Sequence, residues 1–136
     1  MALVQPRDGL SAWRLYKYLH IHRRGYIITY MKALYFVGGS REDLRAFPVD
    51  ARYQAGVDLR RVQSGLDPRD WKPMKIVGAG AREIRIRDEA GAFRIFYVVE
   101  NEQAVYVLHE FQKKTQRTTK GDIEKGRDRY KLIDRR

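Results

Sequence analysis

The chain has 136 residues, enough for one domain with a hydrophobic core and short for two. Lysine and arginine total 28 against 17 aspartate and glutamate, a formal net charge of +11, so the average field attracts polyanions such as nucleic acid, although a solvated basic surface accounts for the same excess. The absence of cysteine excludes disulfides and thiolate chemistry, and the lack of a long apolar run or a signal-peptide core predicts a cytoplasmic protein without a membrane anchor.

The first thirty residues are rich in aromatic and basic side chains but keep no regular hydrophobic period for long. Aromatic and apolar residues between Trp13 and His20 recur at helical spacing, which predicts a short helix. Met31 stands directly before a segment with a clear strand pattern. We therefore expect residues 1–30 to be an extension of uncertain origin on a domain formed by residues 31–136, with Met31 a candidate translation start.

Elements of the domain begin with Lys32–Ser40, where β-branched and aromatic residues end in two glycines and predict a strand. Ser40 and Asp43 have capping-box spacing and predict a short helix that ends before Pro48. A longer helix starts at Pro48, with the apolar stripe Ala51, Ala55, Leu59, Val62 and Leu66. Prolines and glycines in residues 64–80 predict an irregular connection.

Three alternating segments follow and predict strands at residues 81–87, 92–99 and 104–111. The polar loops between them are short, so the strands form an antiparallel meander. A closing helix is predicted from about Thr119 to Ile133, because Thr119 and Asp122 have capping-box spacing. The predicted fold is α+β: a small antiparallel sheet, made of the N-terminal strand and the meander, packs against two N-terminal helices, with a C-terminal helix.

The two hairpin loops also predict a register. Centring them on the midpoints of DEAG and ENEQ places Arg85 opposite Arg94, and Arg94 opposite His109. The reverse face then collects a core of Ile84, Ile86, Phe93, Ile95, Tyr97, Tyr106 and Leu108. A row of two guanidinium groups and an imidazole is therefore expected on the face that looks away from this core.

Two facing arginines repel each other by about 0.2–1 kcal/mol, so the row requires an explanation. It fits a preformed site for phosphate, with Lys113 and Lys114 adding charge at the strand end. It also fits a structural arrangement in which Glu83, Glu110 or helix carboxylates neutralise the arginines. His109 is correspondingly compatible with acid–base catalysis or with a satisfied structural role.

The segment from Glu83 to Tyr130 resembles the phage-derived, HigB-like branch of the RelE superfamily of bacterial toxins. In that branch an E-[LI]-R strand, a [YF]-R-[IVL]-x-Y strand, an L-H-x-F-x-K-K-T segment and a D/E-I-x-x-A-x-x-R helix follow in this order. Upstream, "DLRAFPVDAR" and "KPMK" are similar to the same family's helical pair and its connection. The resemblance covers about Lys32 to Ile133.

The resemblance implies a RelE-like fold and the toxin of a type II toxin–antitoxin system, a metal-independent, ribosome-dependent mRNA endoribonuclease that inhibits translation. Its implied partners are mRNA on the ribosome and a cognate antitoxin of helix-turn-helix type, and no cofactor is expected. Relatives place basic residues at the positions of Arg85 and Arg94, and again near Lys113 and Lys114. A tyrosine that some relatives use early in the last helix has no counterpart in residues 118–120.

The candidate catalytic residues are Arg85, Arg94 and His109, and the candidate RNA-binding residues are Lys113, Lys114, Arg117 and Phe111. Fixed arginines would stabilise the extra charge of a phosphorane-like transition state, and the histidine would serve as acid or base. Phe111 could stack on a base or belong to the core.

Two other functions are compatible with the sequence. One is a basic module that binds RNA or DNA without chemistry, and the other is a degenerate toxin that only binds its antitoxin. A cleaving and a non-cleaving protein would both bind with steep salt dependence, so charge does not separate them. A helix-turn-helix is not evident, and the basic residues lie on a sheet, which disfavours a DNA-binding regulator.

Overall fold

Eight strands and three helices occur in the part of the chain that the structure, a computed structural model, describes: residues 11–13, 17–22, 25–101 and 103–133. The strands are β1 Ser11–Trp13, β2 Lys17–His22, β3 Gly25–Tyr30, β4 Ala33–Phe36, β5 Trp71–Pro73, β6 Ala81–Asp88, β7 Gly91–Glu100 and β8 Ala104–Lys113. The helices are α1 Ser40–Arg45, α2 Val49–Gln63 and α3 Lys120–Lys131. None of these helices is long and apolar enough to span a bilayer.

The main sheet has the strand order β1-β4-β8-β7-β6-β5, and β2 pairs only with β3. The predicted α+β class and the β6–β7–β8 meander are confirmed. The sheet is mixed and not wholly antiparallel, because β4 runs parallel to β8. A parallel pair needs a long crossover, which the chain from α1 through β7 supplies.

β5 lies inside the segment that was predicted to be irregular. It is a three-residue edge strand, and Lys72 faces Glu83 of β6. A run this short that ends in proline has no strand pattern of its own, so its pairing with β6 defines it.

The sheet is covered on both faces. On one face, α2 packs its predicted stripe against Ile84, Ile95 and other residues of the meander in one core cluster. On the other face, a second cluster includes Phe96, Leu108 and Ile133 after the end of α3. Five of the predicted core residues, Ile84, Ile86, Phe93, Ile95 and Tyr97, are confirmed on the α2 face.

The predicted register of the first hairpin is confirmed, since Arg85 pairs with Arg94 across a two-residue loop. The predicted register of the second hairpin is wrong, because His109 pairs with Phe96 and Arg94 pairs with Phe111. The loop after Glu100 holds three residues, with Asn101 in the left-handed region at φ 57°.

A second irregularity in the β7–β8 pairing is a β-bulge. Phe96 pairs with His109 while Tyr97 pairs with Val107, so Leu108 is the extra residue. The three-residue loop and the bulge each shift the pairing of β8 with β7 by one residue. Together the two shifts keep His109 on the predicted face but place it opposite Phe96, two residues from Arg94. Residues 104–107 are shifted by one only, which places Val105 and Val107 in the α2-side core and Tyr106 against the opposite cluster.

Helix boundaries follow the sequence signals unevenly. Ser40 was predicted to cap α1, but it is the first helical residue and its hydroxyl donates to the carbonyl of Val107 at 3.0 Å. α2 begins directly after Pro48 as predicted, whereas Leu66 lies beyond the helix and is 54% exposed. The predicted cap of α3 is confirmed, because Thr119 Oγ1 accepts from the backbone N–H of Asp122.

The helix predicted between Trp13 and His20 is wrong where the structure describes this segment. Residues 11–13 form β1, which pairs antiparallel with β4, and residues 17–22 form β2, which pairs with β3. Residues 14–16 lie outside the described part of the chain. The division of the chain at residue 31 stays a prediction.

Candidate functional site

Lys72, Arg85, Arg94 and Lys113 lie on one face of four adjacent strands, and we call these four residues the cation face; Arg87 lies on the same face, towards the β6–β7 loop. Lys72 pairs with Glu83 across β5–β6, and Arg85 pairs with Arg94 across β6–β7. Lys113 pairs with Ala92, two residues from Arg94. Because side chains two apart share a face, this pairing places the four cations and Glu83 on the same side.

Arg94 is the most enclosed member of the cation face, with 7% of its surface exposed. Its Nε lies 3.3 Å from Glu83 Oε1, and its Nη1 donates to the carbonyl of Phe93 at 3.0 Å. Burial lowers the pKa of Arg94, and the charge of Glu83 opposes that shift. The alternative in which Glu83 neutralises an arginine is therefore correct for Arg94.

The other predicted cations on this face are not neutralised in this way. Within the described ranges, neither Arg85 nor Lys113 forms an ion pair. Burial lowers the pKa of Lys113 most, and the charge of Arg94 lowers it further; the charge of Glu83 opposes these shifts, while Lys72 and Arg85 add smaller lowering effects. Cations lower one another's pKa where they lie close together with few carboxylates nearby. The cation face therefore retains positive charge that can bind an anion.

Lys114 and Arg117 are exposed and follow the end of β8. Lys113 and Lys114 help to line a cavity of about 170 Å³ between this strand end and the start of α3. Phe111 is buried: its ring stacks on His109 at 5.0 Å and meets the ring of Phe96 at 5.2 Å. Phe111 therefore has the core position that the sequence left open, and it is not an exposed platform for a base.

His109 belongs to a separate cluster beneath α1 and α3, which we call the polar junction: His109, Asp43, Asp122 and Arg129. The ring of His109 is buried, with Nε2 2.8 Å from Asp122 Oδ1 and Nδ1 3.8 Å from Asp43 Oδ2. Burial lowers the pKa of His109, and its hydrogen bond with Asp122 opposes this. Both ring nitrogens face carboxylates of the protein itself.

Arg129 connects the polar junction to the bulge. Its Nη1 donates to Asp43 Oδ2 and to the carbonyl of Leu108, each at 2.9 Å. Helices α1 and α3 are thereby joined to each other and to β8 through one guanidinium group. Arg129 and His109 thus both face carboxylates, whereas Arg85 and Lys113 on the cation face have no ion pair within the described ranges.

Glu110 follows His109 on β8 and pairs with Ile95, so its side chain lies on the opposite face of the sheet from His109. Both carboxyl oxygens are buried and have no hydrogen-bond partner among the described residues. Burial raises the pKa of Glu110 well above its ordinary value, and the charge of Asp43 adds to the rise. Glu110 is on the strand position next to His109, and it does not neutralise the arginines.

The structure thus brings together Arg85, Arg94 and Lys113 of the predicted site and separates His109 from them. Lys72 was not among the predicted site residues, because β5 has no recognisable strand pattern. The KPMK segment that begins with Lys72 was recognised only as a connection. Asp122 was recognised as part of a helix cap, but its contact with His109 depends on how α3 packs. Among the described side chains, no group of three His, Asp or Glu is arranged to hold a metal ion.

The sequence of the chain matches a known protein family. The sequence model of the phage-derived Gp49-like proteins (DUF891) matches residues 42–131. That range contains the cation face and the polar junction, and it is about two thirds of the chain. No curated protein matches the sequence.

Proposed function

Because the chain belongs to the phage-derived Gp49-like family, a family of RelE/HigB-like toxins of toxin–antitoxin systems, we propose that it is a toxin that cleaves mRNA on the ribosome. The family implies an antitoxin partner. We further propose that this antitoxin is of the helix-turn-helix type and that the toxin acts in the cytoplasm without a metal or cofactor.

The observation that carries this proposal is the facing pair Arg85 and Arg94 on an under-neutralised sheet face. Cleavage of RNA requires the ribose 2′-hydroxyl to lose its proton and bond to phosphorus, while the bond to O5′ breaks and O5′ gains a proton. The phosphorane-like transition state carries extra negative charge on its non-bridging oxygens. Guanidinium groups fixed beside those oxygens stabilise the transition state more than the ground state.

The remaining basic residues would hold the substrate. Lys113 is half-buried beside the arginine pair, while Lys114 and Arg117 are exposed at the end of β8. Lysine and arginine at such positions neutralise a phosphate backbone without requiring a particular base sequence. We assign these three residues to backbone binding.

His109 receives a different assignment. Its burial and the two carboxylates at its ring nitrogens favour a structural role over the predicted acid–base role. A His109→Gln variant that remains folded should then keep the parent's pH dependence of cleavage. Loss of one limb of that pH profile, measured at matched folded fraction, would restore the acid–base assignment.

The test of the proposed function uses Arg85→Gln and Arg94→Gln in a ribosome-dependent cleavage assay, with new mRNA 5′ ends mapped. Removing one fixed cation should lower the cleavage rate by about 10²–10³-fold, as for the loss of an oxyanion-hole donor. Arg85→Gln is the cleaner variant because Arg85 has no ion pair in the described structure that its loss would break. Arg127→Gln, on the exposed side of α3, is the matched control and should cleave like the parent. Folded Arg85 and Arg94 variants that cleave at the parental rate would exclude the arginines from the mechanism.

A non-cleaving RNA-binding protein is the second candidate. It is favoured by one observation: the carboxylate paired with Arg94, that of Glu83, is fully buried, and the imidazole of His109 is buried against Asp122, so neither group is placed to exchange a proton with bound RNA. Parent protein that binds ribosomes or mRNA but produces no new 5′ ends, under conditions where translation is inhibited, would identify this function.

A further inference from the structure

Glu83 occupies the centre of the cation face and has no exposed surface. Its Oε1 lies 3.3 Å from Arg94 Nε on the strand to one side, β7. The same oxygen lies 3.9 Å from Lys72 Nζ on the strand to the other side, β5. One buried carboxylate oxygen is thus shared by cations from two strands that are not neighbours.

These contacts are ion pairs and not hydrogen bonds. Neither carboxyl oxygen of Glu83 has a hydrogen-bond partner among the described residues, and Arg94 Nε has none either. The carboxylate therefore attracts both cations without saturating their donors. Lys72 has a side chain that is 44% exposed, so its ammonium group can meet a ligand while it stays near Glu83.

We propose that Glu83 is a positioning residue for phosphate binding, which holds Lys72 and Arg94 close enough for one stretch of RNA backbone to contact both. This inference rests on the proposed function for its ligand class, single-stranded RNA. It adds Lys72 to the binding residues and gives the buried carboxylate a purpose. Without Glu83, four cations on adjacent strands would repel each other, and the flexible lysine would move away from the arginine.

The direction in which Glu83→Gln changes the affinity for RNA distinguishes a positioning role of Glu83 from an effect of net charge alone. Glu83→Gln raises the net charge by one, which through long-range electrostatics alone strengthens the binding of a polyanion. If Glu83 positions the two cations, the same substitution weakens binding in spite of the added positive charge. Glu89→Gln is the matched control, because it makes the same chemical change at an exposed residue of the β6–β7 loop.

The experiment measures the affinity of a short 2′-O-methyl oligoribonucleotide, which cannot be cleaved, at several salt concentrations. Glu83→Gln should bind about tenfold more weakly than the parent, as for the loss of one charge-assisted contact. Lys72→Gln should also bind more weakly, with a salt slope smaller by about 1, and the double variant should bind like Glu83→Gln. Glu89→Gln should bind as tightly as the parent or more tightly.

Folded Glu83→Gln that binds as tightly as Glu89→Gln overturns the proposal. Circular dichroism of each variant establishes folding. If Glu83→Gln does not fold, the affinity of Lys72→Gln is compared with that of Lys75→Gln, which changes an exposed lysine on the same connection. Equal affinities and equal salt slopes of these two variants overturn the proposal. The probe needs neither a ribosome nor cleavage, so a protein that fails to cleave mRNA can still pass this test, and the two proposals fail separately.

Discussion

The cation face and the polar junction lie side by side on one face of the sheet, and both contain charged side chains. The two regions differ in how far those charges are paired within the protein. At the polar junction, Arg129 lies 2.9 Å from Asp43 and His109 lies 2.8 Å from Asp122. On the cation face, Lys72 and Arg94 share the one buried carboxylate of Glu83, and Arg85 and Lys113 have no ion pair within the described ranges. The charge that remains after internal pairing, and not the total charge, therefore marks the candidate site.

The two regions should also respond oppositely to the removal of a cation. At the polar junction a guanidinium group satisfies a carboxylate and a carbonyl, so its loss leaves both uncompensated. On the cation face Arg85 faces Arg94 and has no ion pair within the described ranges, so the loss of Arg85 removes a repulsion. Substitutions of Arg129 and Arg85 test this contrast, and a substitution of Glu110 tests the uncompensated buried carboxyl group next to His109 in β8.

Arg129→Met should lower the free energy of unfolding by about 2–3 kcal/mol, because Asp43 and the carbonyl of Leu108 lose their donor. Urea denaturation gives the value. Arg127→Met on the exposed side of the same helix is the control and should change stability by less than about 0.5 kcal/mol. Equal effects of the two substitutions would show that the polar junction contributes no specific stability.

Glu110→Gln should stabilise the protein, and the gain should increase with pH. The folded-state pKa of Glu110 is raised by burial, so the unfolded chain releases its proton at lower pH than the folded chain. The stability contributed by the neutral carboxyl is complete below the unfolded pKa of about 4.3 and is lost as pH rises towards the folded value. Thermal unfolding between pH 4 and pH 8 measures this, with Glu124→Gln, exposed on α3, as the control. A difference from the parent that does not vary with pH would contradict the assignment.

Arg85→Gln should raise the free energy of unfolding by about 0.2–1 kcal/mol, since it removes the repulsion with Arg94 across β6–β7. Arg87→Gln is the comparison, because Arg87 faces Ala92 and not a second cation. Denaturant melts in low salt should show the difference most clearly, and added salt should reduce it. Destabilisation by Arg85→Gln would mean that this arginine has a stabilising partner.

The sequence determines local features of this fold better than it determines long-range contacts. Asp88 and Gly91 close a two-residue loop, and that short connection suffices to predict that Arg85 faces Arg94. The second hairpin was misplaced because Asn101 adopts a left-handed conformation that lengthens the loop, and because Leu108 forms a bulge. Each device inserts one residue, so the loop moves Val105 and Val107 to the α2 face and the bulge returns His109 to the predicted face.

The candidate site shows the same difference between local features and contacts distant in sequence. The arginine pair and Lys113 follow from strand alternation, and Glu83 could be named as a neutralising residue because it stands two positions before Arg85 on the same face. The partners of His109 could not be found, since Asp43 and Asp122 reach it from helices at distant places in the chain. Side-chain contacts between separate elements depend on packing, which a single sequence does not display.

The extra residue in β8 has a further consequence for the behaviour of the protein in a crowded solution. β4 ends at Phe36, opposite Val107, so the carbonyls of β8 beyond that point would form an open edge. The carbonyl of Val107 instead accepts from Val37 N–H and from the Ser40 hydroxyl, and the carbonyl of Leu108 accepts from Arg129. A strand of another molecule finds no free acceptors at these positions, so the bulge and its two helices also protect the sheet against edge-to-edge aggregation.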